Sequence, residues 1–129
     1  MSGDYILDSN IVIDIFRNDS ATISEVTKLN KIYVPVIVLG ELHYGANKSS
    51  QTSKRTLEID QLKRRVILLD VTDRTAKHYG EIKNKLHQKG KMIPENDIWI
   101  AAIAMETGLP LLSNDKHFQF VDGIVVDAI

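Results

Sequence analysis

The stretch Asp97–Asp115, DIWIAAIAMETGLPLLSND, contains a helix, a helix stop and a buried strand in immediate succession. Its first part is strongly helical and rich in alanine and isoleucine, and Gly108 ends it. Leu109–Leu112 is a short apolar run of the kind found in strands that are buried on both faces. Helices that alternate with such strands build parallel sheets. The stretch therefore predicts an α/β fold, and an acid stands at each of its ends.

The rest of the chain shows the same alternation of short apolar runs and longer helical patterns. Strands are predicted at Tyr5–Leu7, Ile32–Val34, Val66–Leu69, Leu109–Leu112 and Ile124–Val126. Helices are predicted at Asn10–Arg17, Ser20–Leu29, Val36–Asn47, Gln51–Arg65, Asp73–Gln88 and Asp97–Thr107, with a short turn or helix at Asp115–Phe120. Pro35 fits the first position of the third helix, and Asp73 can cap the fifth. The pattern predicts a parallel sheet covered by helices on both faces.

Length and composition exclude several classes of protein. The chain has 129 residues, 43% of them hydrophobic, which suits one domain with a buried core. No run approaches the roughly 20 apolar residues of a membrane span, and the start Met1-Ser2-Gly3-Asp4 does not look like a signal peptide, so a cytoplasmic location is expected. There is no cysteine, and the four histidines show no ligand-like pairing. Any metal should therefore be held by oxygen atoms.

Charge is unevenly distributed along the chain. Residues 48–91 carry 12 Lys and Arg against 5 Asp and Glu, whereas the remaining residues carry 4 against 12. A basic segment beside acidic flanks could hold the backbone of a polyanion. Alternatively, these basic residues are the solvated faces of two amphipathic helices.

Four acids stand at strand ends or inside apolar segments: Asp8, Glu41, Asp97 and Asp115. Removing a carboxylate from water costs several kcal/mol, so such acids usually have a partner, and four converging acids would suit a hard divalent cation. Ligands of open parallel sheets bind beyond the carboxyl ends of the strands. Asp8 and Asp115 would meet there if the first and fourth strands are neighbours.

Each acid also has a simpler explanation. Asp8, Asp97 and Asp115 all precede helical patterns, where a side-chain oxygen can cap free N–H groups for about 1 kcal/mol. Glu41 could lie on an exposed edge of its helix. Asp14 is interpreted as a surface residue. Four such placements together are harder to attribute to coincidence than any one alone.

Four segments carry a resemblance to a known family: Asp8-Ser9-Asn10, Glu41-Leu42-His43-Tyr44-Gly45, Asn96-Asp97-Ile98-Trp99-Ile100-Ala101-Ala102 and Ser113-Asn114-Asp115-Lys116-His117-Phe118. In order and spacing they resemble the motifs of PIN-domain ribonucleases, in particular the VapC toxins of bacterial toxin–antitoxin pairs. The resemblance covers nearly the whole chain. It implies a single PIN domain over residues 1–129, folded as a three-layer α/β/α sandwich with about five parallel strands.

The resemblance also implies an activity, a site and partners. The activity is that of an endoribonuclease dependent on Mg²⁺ or Mn²⁺, with catalytic and metal-binding roles for Asp8, Glu41, Asp97 and Asp115. Asn10 and Ser113 are implied as polar supports, and Ser113 replaces the more frequent threonine but keeps the hydroxyl. The implied partners are RNA, a VapB-type antitoxin, a second copy of the chain, and operator DNA through the antitoxin complex.

Our hypothesis for the chemistry is in-line attack on an RNA phosphodiester by metal-activated water, with Asp8 and Asp97 bearing the first ion most directly. Glu41 and Asp115 would complete the site. A haloacid-dehalogenase-type phosphatase is disfavoured because it needs an acid at position 10, where this chain has Asn10. A receiver domain needs further acids before Asp8, and only Asp4 is near. A non-catalytic subunit that acts through antitoxin and DNA binding is the remaining alternative, and transfer, ribosomal and messenger RNA are all open as substrates.

Overall fold

A five-stranded parallel sheet forms the centre of the computed structural model, which describes all 129 residues. The strands are β1 Tyr5–Leu7, β2 Ile32–Pro35, β3 Ile67–Leu69, β4 Leu111–Leu112 and β5 Val126–Asp127. They are arranged in the order β3-β2-β1-β4-β5, and every neighbouring pair is parallel. The predicted parallel α/β architecture is confirmed, and β1 and β4 are neighbours.

Six helices and one 3-10 helix connect these strands. They are α1 Ser9–Phe16, α2 Ser20–Val26, α3 Val36–Lys48, α4 Thr52–Lys63, α5 Asp73–Lys89, α6 Glu95–Thr107 and the 3-10 helix Lys116–Phe120. Helix α5 packs along α6, and α3 packs against α1, α4 and α6. None of the helices combines the length and the hydrophobicity that a membrane-spanning segment needs.

The starts predicted for α3 and α5 are confirmed, but the roles predicted for Pro35 as the first helical residue and for Asp73 as a cap are wrong, and the predicted start of α6 is wrong by two residues. Pro35 ends β2 and caps α3 in an extended conformation, so the helix begins at Val36. Thr72, and not Asp73, caps α5, because its side chain accepts from the N–H of Thr75 in a capping box. Helix α6 begins at Glu95, directly after the extended Pro94.

Other boundaries also differ by a few residues. Helix α1 begins one residue early because Asp8 caps it, α2 ends at Val26 instead of Leu29, and α4 is shorter at both ends than Gln51–Arg65. Strand β4 is limited to Leu111–Leu112, and β5 is Val126–Asp127, which shares only Val126 with the predicted Ile124–Val126, because only these residues pair with a neighbouring strand.

Helix α6 is the central helix of the core. Residues 100–104 are at most 2% exposed, and they pack with buried side chains of β1 and β4 such as Ile6 and Leu111. Trp99 is half-buried, and its ring stacks on Tyr79 with the ring centroids 4.0 Å apart. This packing fixes the start of α6 near the carboxyl ends of β1 and β4, where the acids of the sequence motifs lie.

Candidate active site

Asp8 follows β1 and is the most buried of the four acids, at 2% exposure. Its Oδ1 accepts a hydrogen bond from the Ser9 N–H at 2.8 Å, which caps α1. Its Oδ2 accepts from the Ser113 hydroxyl at 2.7 Å and from Asn10 Nδ2 at 3.0 Å. A carboxylate has about four acceptor positions, so three donors leave one position for a further partner. Asp8 is thus both a cap and a carboxylate with spare acceptor capacity.

Asn10 and Ser113 join the loop after β1 to the loop after β4. Asn10 Nδ2 also donates to Ser113 Oγ at 3.2 Å, and Asn10 Oδ1 accepts from the Asn114 N–H at 3.1 Å. Ser113 Oγ in turn accepts from the Asp115 N–H at 3.0 Å. The two polar side chains hold Asp8 and Asp115 in a fixed relation.

Glu41 lies in the second turn of α3 and is half-buried. Its Oε1 is buried and has no hydrogen-bond partner. Burial raises the pKa of Glu41 to about 7, and the charges of Asp8, Asp97 and Asp115 act in the same direction. An unsatisfied carboxylate oxygen beside three other acids indicates that a cation belongs at this position.

Asp97 is the third residue of α6 and is 7% exposed. It does not cap the helix, because α6 begins at Glu95, but it stands in the first turn, where the free N–H groups favour an anion. Burial raises its pKa, and the neighbouring charges of Asp115 and Asp8 add to that effect. The capping explanation therefore fails for Asp97.

Asp115 caps the 3-10 helix through its Oδ1, which accepts from the His117 N–H at 2.9 Å. The His117 ring turns back toward the acids, and its Nδ1 lies 3.0 Å from Asp97 Oδ2 and 3.0 Å from Asp115 Oδ1. The hydrogen bond to Asp97 raises the pKa of His117, and the charges of both carboxylates raise it further. The imidazolium thus lies where it can balance two carboxylates.

The structure brings all four predicted acids together. Each carboxylate lies close enough to the other three to contribute to the electrostatic interactions described above. Burial is also the main reason that the pKa of Asp8 is raised, against the opposing hydrogen bonds from Ser113, Ser9 and Asn10. Four carboxylates that repel one another and are partly removed from water make this position electrostatically favourable for a cation.

The donor set fits a hard divalent cation. Ligand atoms of Asp97, Asp115 and His117 lie within 4.8 Å of one another, and Glu41 Oε1 has no hydrogen-bond partner. Carboxylate oxygens are the ligands that Mg²⁺ and Mn²⁺ prefer. The four carboxylates agree with the predicted oxygen-ligated metal, and His117 would add a nitrogen ligand only after losing its proton.

An open cleft of about 420 Å³ gives access to the site, and Glu41, Asn96, Asp97, Asp115 and His117 line it. Asp8 is too deeply buried to line this cleft. Sequence reasoning missed the role of His117, because it looked for pairs of histidines and found none. The available signal was its position two residues after Asp115, within a motif that was already singled out.

Comparison with known proteins identifies similar sequences over almost the whole chain. The model of the PIN domain family matches residues 5–124. Ribonuclease VapC2 of Haemophilus influenzae is 40% identical over 120 residues, which is 91% of each chain. The tRNA(fMet)-specific endonuclease VapC of Shigella flexneri is 32% identical over 123 residues, which is 93% of each chain.

Solved structures show the same fold. The VapBC complex of Salmonella typhimurium bound to DNA contains a chain that superposes with a TM-score of 0.90 at 30% identity, covering 97% of both chains. The VapBC2 complex of Rickettsia felis, bound to a DNA fragment from its promoter, gives a TM-score of 0.90 at 26% identity over 98% of both chains. The fold found here is thus shared by a chain of each of these complexes.

Proposed function

Because the chain belongs to the PIN-domain family and within it to the VapC ribonucleases, we propose that it is a metal-dependent endoribonuclease, the toxin of a toxin–antitoxin pair. Its curated relatives are named as ribonucleases or as an endonuclease. We place the whole chain, residues 1–129, in one PIN domain that acts on RNA in the cytoplasm.

The convergence of four acids from four separate elements carries this proposal. Asp8 follows β1, Glu41 is in α3, Asp97 is in α6, and Asp115 precedes the 3-10 helix. Capping explains two of these positions, but it explains neither the buried and unpartnered Glu41 Oε1 nor Asp97. Repulsion among four carboxylates destabilises the metal-free protein, so a function that requires the cluster is the simplest reason for it.

The residues of the chain have distinct tasks in the proposed hydrolysis. Asp8, Glu41, Asp97 and Asp115 would hold Mg²⁺ or Mn²⁺, and His117 is positioned to contact the same group. When bound, such a cation neutralises phosphate charge, lowers the pKa of water and stabilises the leaving oxygen. Asn10 and Ser113 keep Asp8 in place through the hydrogen bonds described above. The open cleft admits the phosphodiester from the side of Glu41 and Asp97.

The alternatives account for less of the site. A phosphoaspartate mechanism requires an exposed nucleophile, but Asp8 is 2% exposed and accepts three hydrogen bonds. A subunit that only binds an antitoxin and DNA would have no use for four mutually repelling carboxylates. Such binding can accompany the ribonuclease activity, and we propose it as a second property of the chain and not as its sole role.

We also propose partners by analogy with the structural relatives, which are complexes of toxin and antitoxin, some of them bound to DNA. A VapB-type antitoxin would bind this chain, and operator DNA would be bound through that complex. We propose a homodimer as the state of the toxin itself. Initiator transfer RNA is the first defined substrate to test, because one relative is named for it.

The proposed function is tested by incubating purified, antitoxin-free protein with total cellular RNA and with initiator transfer RNA, in Mg²⁺ or Mn²⁺, with and without EDTA. We expect discrete fragments that need the metal. Asp8→Asn should abolish cleavage, because it removes one carboxylate charge, while the melting temperature without metal stays equal or rises, because the removed charge is buried and repelled.

Asp60→Asn is the matched control, since Asp60 is an exposed acid on α4, away from the cleft. It should cleave RNA like the wild type. A folded Asp8→Asn protein with full activity would show that the acidic cluster is not the catalytic site. Fragments that persist in EDTA would contradict the metal dependence.

A further inference from the structure

Tyr44 is an aromatic residue that the fold leaves in water. Tyr44 is 67% exposed, which is the highest value among the large hydrophobic residues on the surface. It lies on α3 three residues after Glu41, and residues three apart on a helix are neighbours on the same face. The exposed ring therefore stands one helical turn from a carboxylate of the proposed active site.

Tyr44 and Glu41 share a cleft. This cleft has a volume of about 670 Å³, and Ser9, Ile37 and Asn96 contribute to its walls. Glu41 and Asn96 also line the acidic cleft, so the two spaces are continuous at these residues. A chain molecule whose reacting group lies at the acids would pass over Tyr44.

A cation accompanies the ring. Lys48 Nζ lies 5.2 Å from the centroid of the Tyr44 ring, and no carboxylate lies within ion-pair distance of it. An aromatic ring beside an unpaired lysine is the combination with which proteins bind single-stranded nucleic acid, where the ring stacks on a base and the cation contacts the backbone. The apolar ring and the free charge thus both suit RNA.

We propose that Tyr44 is a substrate-binding residue that stacks on an unpaired base next to the scissile phosphate, while Lys48 contacts the RNA backbone. The proposal rests on the proposed ribonuclease function and deepens it, since it places the RNA strand along α3 and requires a single-stranded segment at the cut. Stacking tolerates any base, so Tyr44 contributes affinity and position more than sequence preference.

The first test compares steady-state kinetics of Tyr44→Ala, Tyr44→Phe and wild type on a short oligoribonucleotide that spans the mapped cleavage site. Loss of a stacked base weakens binding by roughly 5- to 150-fold, which should appear in KM while kcat changes little. Tyr44→Phe should restore the wild-type KM, because it keeps the ring. Val125→Ala, a truncation of another exposed side chain, should behave like the wild type.

The second test replaces the nucleotides next to the cut one at a time by abasic nucleotides. At one position, the abasic nucleotide should raise the KM of the wild type by the same factor as the Tyr44→Ala substitution does. The same nucleotide should not raise the KM of Tyr44→Ala any further. Additive losses at every position would overturn the proposal, because they would show that the ring contacts no base.

The outcomes separate this inference from the function on which it rests. If the wild type cleaves no RNA, the ribonuclease proposal fails and the inference fails with it. If the wild type cleaves but folded Tyr44→Ala has an unchanged KM, only the inference is wrong. An unchanged KM together with weaker self-association or antitoxin binding would reassign Tyr44 to a protein interface and would also overturn the inference.

Discussion

At the scale of single residues, Glu41 shows how burial and neighbouring negative charges act on one carboxylate of the site. It is held in the second turn of α3, half-buried, with one oxygen that no donor reaches. Burial first, and then the other three carboxylates, raise its pKa to about 7, compared with about 4.5 for a free glutamate. A divalent cation would offset the repulsion between Glu41 and the other carboxylates. Binding of the cation is therefore coupled to the loss of a proton from Glu41.

The pH dependence of stability follows from that shift. Between about pH 4.5 and pH 7 the folded protein holds a proton on Glu41 that the unfolded chain has lost, so the metal-free protein loses stability as the pH rises. Glu41→Gln removes this effect. In EDTA, the melting temperature of Glu41→Gln should exceed that of the wild type by a margin that grows from pH 5 to pH 8.

Glu25→Gln provides the comparison for this experiment. Glu25 lies on α2 and forms a surface ion pair with Lys28, and such pairs contribute little to stability. The melting temperature of Glu25→Gln should therefore match that of the wild type at every pH. A Glu41→Gln margin that is constant or shrinks over this range would show that Glu41 carries no raised pKa in the metal-free protein.

At the scale of elements, α5 shows how glycine acts differently inside a helix and at its end. A methyl group on Gly80, in the exposed middle of α5, would meet no atom within 4 Å. Gly90 ends the same helix in the left-handed conformation, with φ of 67°. The same substitution should therefore have opposite effects at the two positions.

Gly80→Ala should stabilise the protein by about 0.5–1 kcal/mol and raise its melting temperature by roughly 2–5 °C, because alanine loses less backbone entropy in a helix. Gly90→Ala should destabilise it by about 1–2 kcal/mol, because a side chain is strained at this φ. Denaturant unfolding of both variants measures the difference. Equal effects would mean that α5 does not end at Gly90 as described.

The sequence predicted the presence of the helices and strands better than it predicted the residues at which they begin and end. Helix α6 and strand β1 follow from apolar patterns that burial enforces, and their existence was predicted correctly. The start of α6 was not, because Pro94 and Glu95 lie in a polar stretch where the pattern gives no signal. An acid is a common cap, so the sequence favours Asp73 at the start of α5, but Thr72 caps the helix together with Thr75.

At the scale of the whole molecule, the sheet order explains why four distant acids meet. Strands β1 and β4 are neighbours although about a hundred residues separate them, so Asp8 and Asp115 follow adjacent strand ends. From the sequence, the proximity of Asp8 and Asp115 could be predicted only by assuming that β1 and β4 are adjacent in the sheet. The contacts of His117 with Asp97 and Asp115 could not be predicted, because they depend on how the 3-10 helix turns its side chains.

The most direct test of the central claim, that four carboxylates from four elements form one divalent-cation site, is the melting temperature of the wild type and of Asp8→Asn with Mn²⁺ or EDTA. A cation that binds only the folded protein adds about 2.7 kcal/mol at a hundredfold excess over its Kd. We expect Mn²⁺ to raise the melting temperature of the wild type and of Asp60→Asn, and not that of Asp8→Asn. An equal rise in Asp8→Asn, or no rise in any of the three proteins, would contradict it.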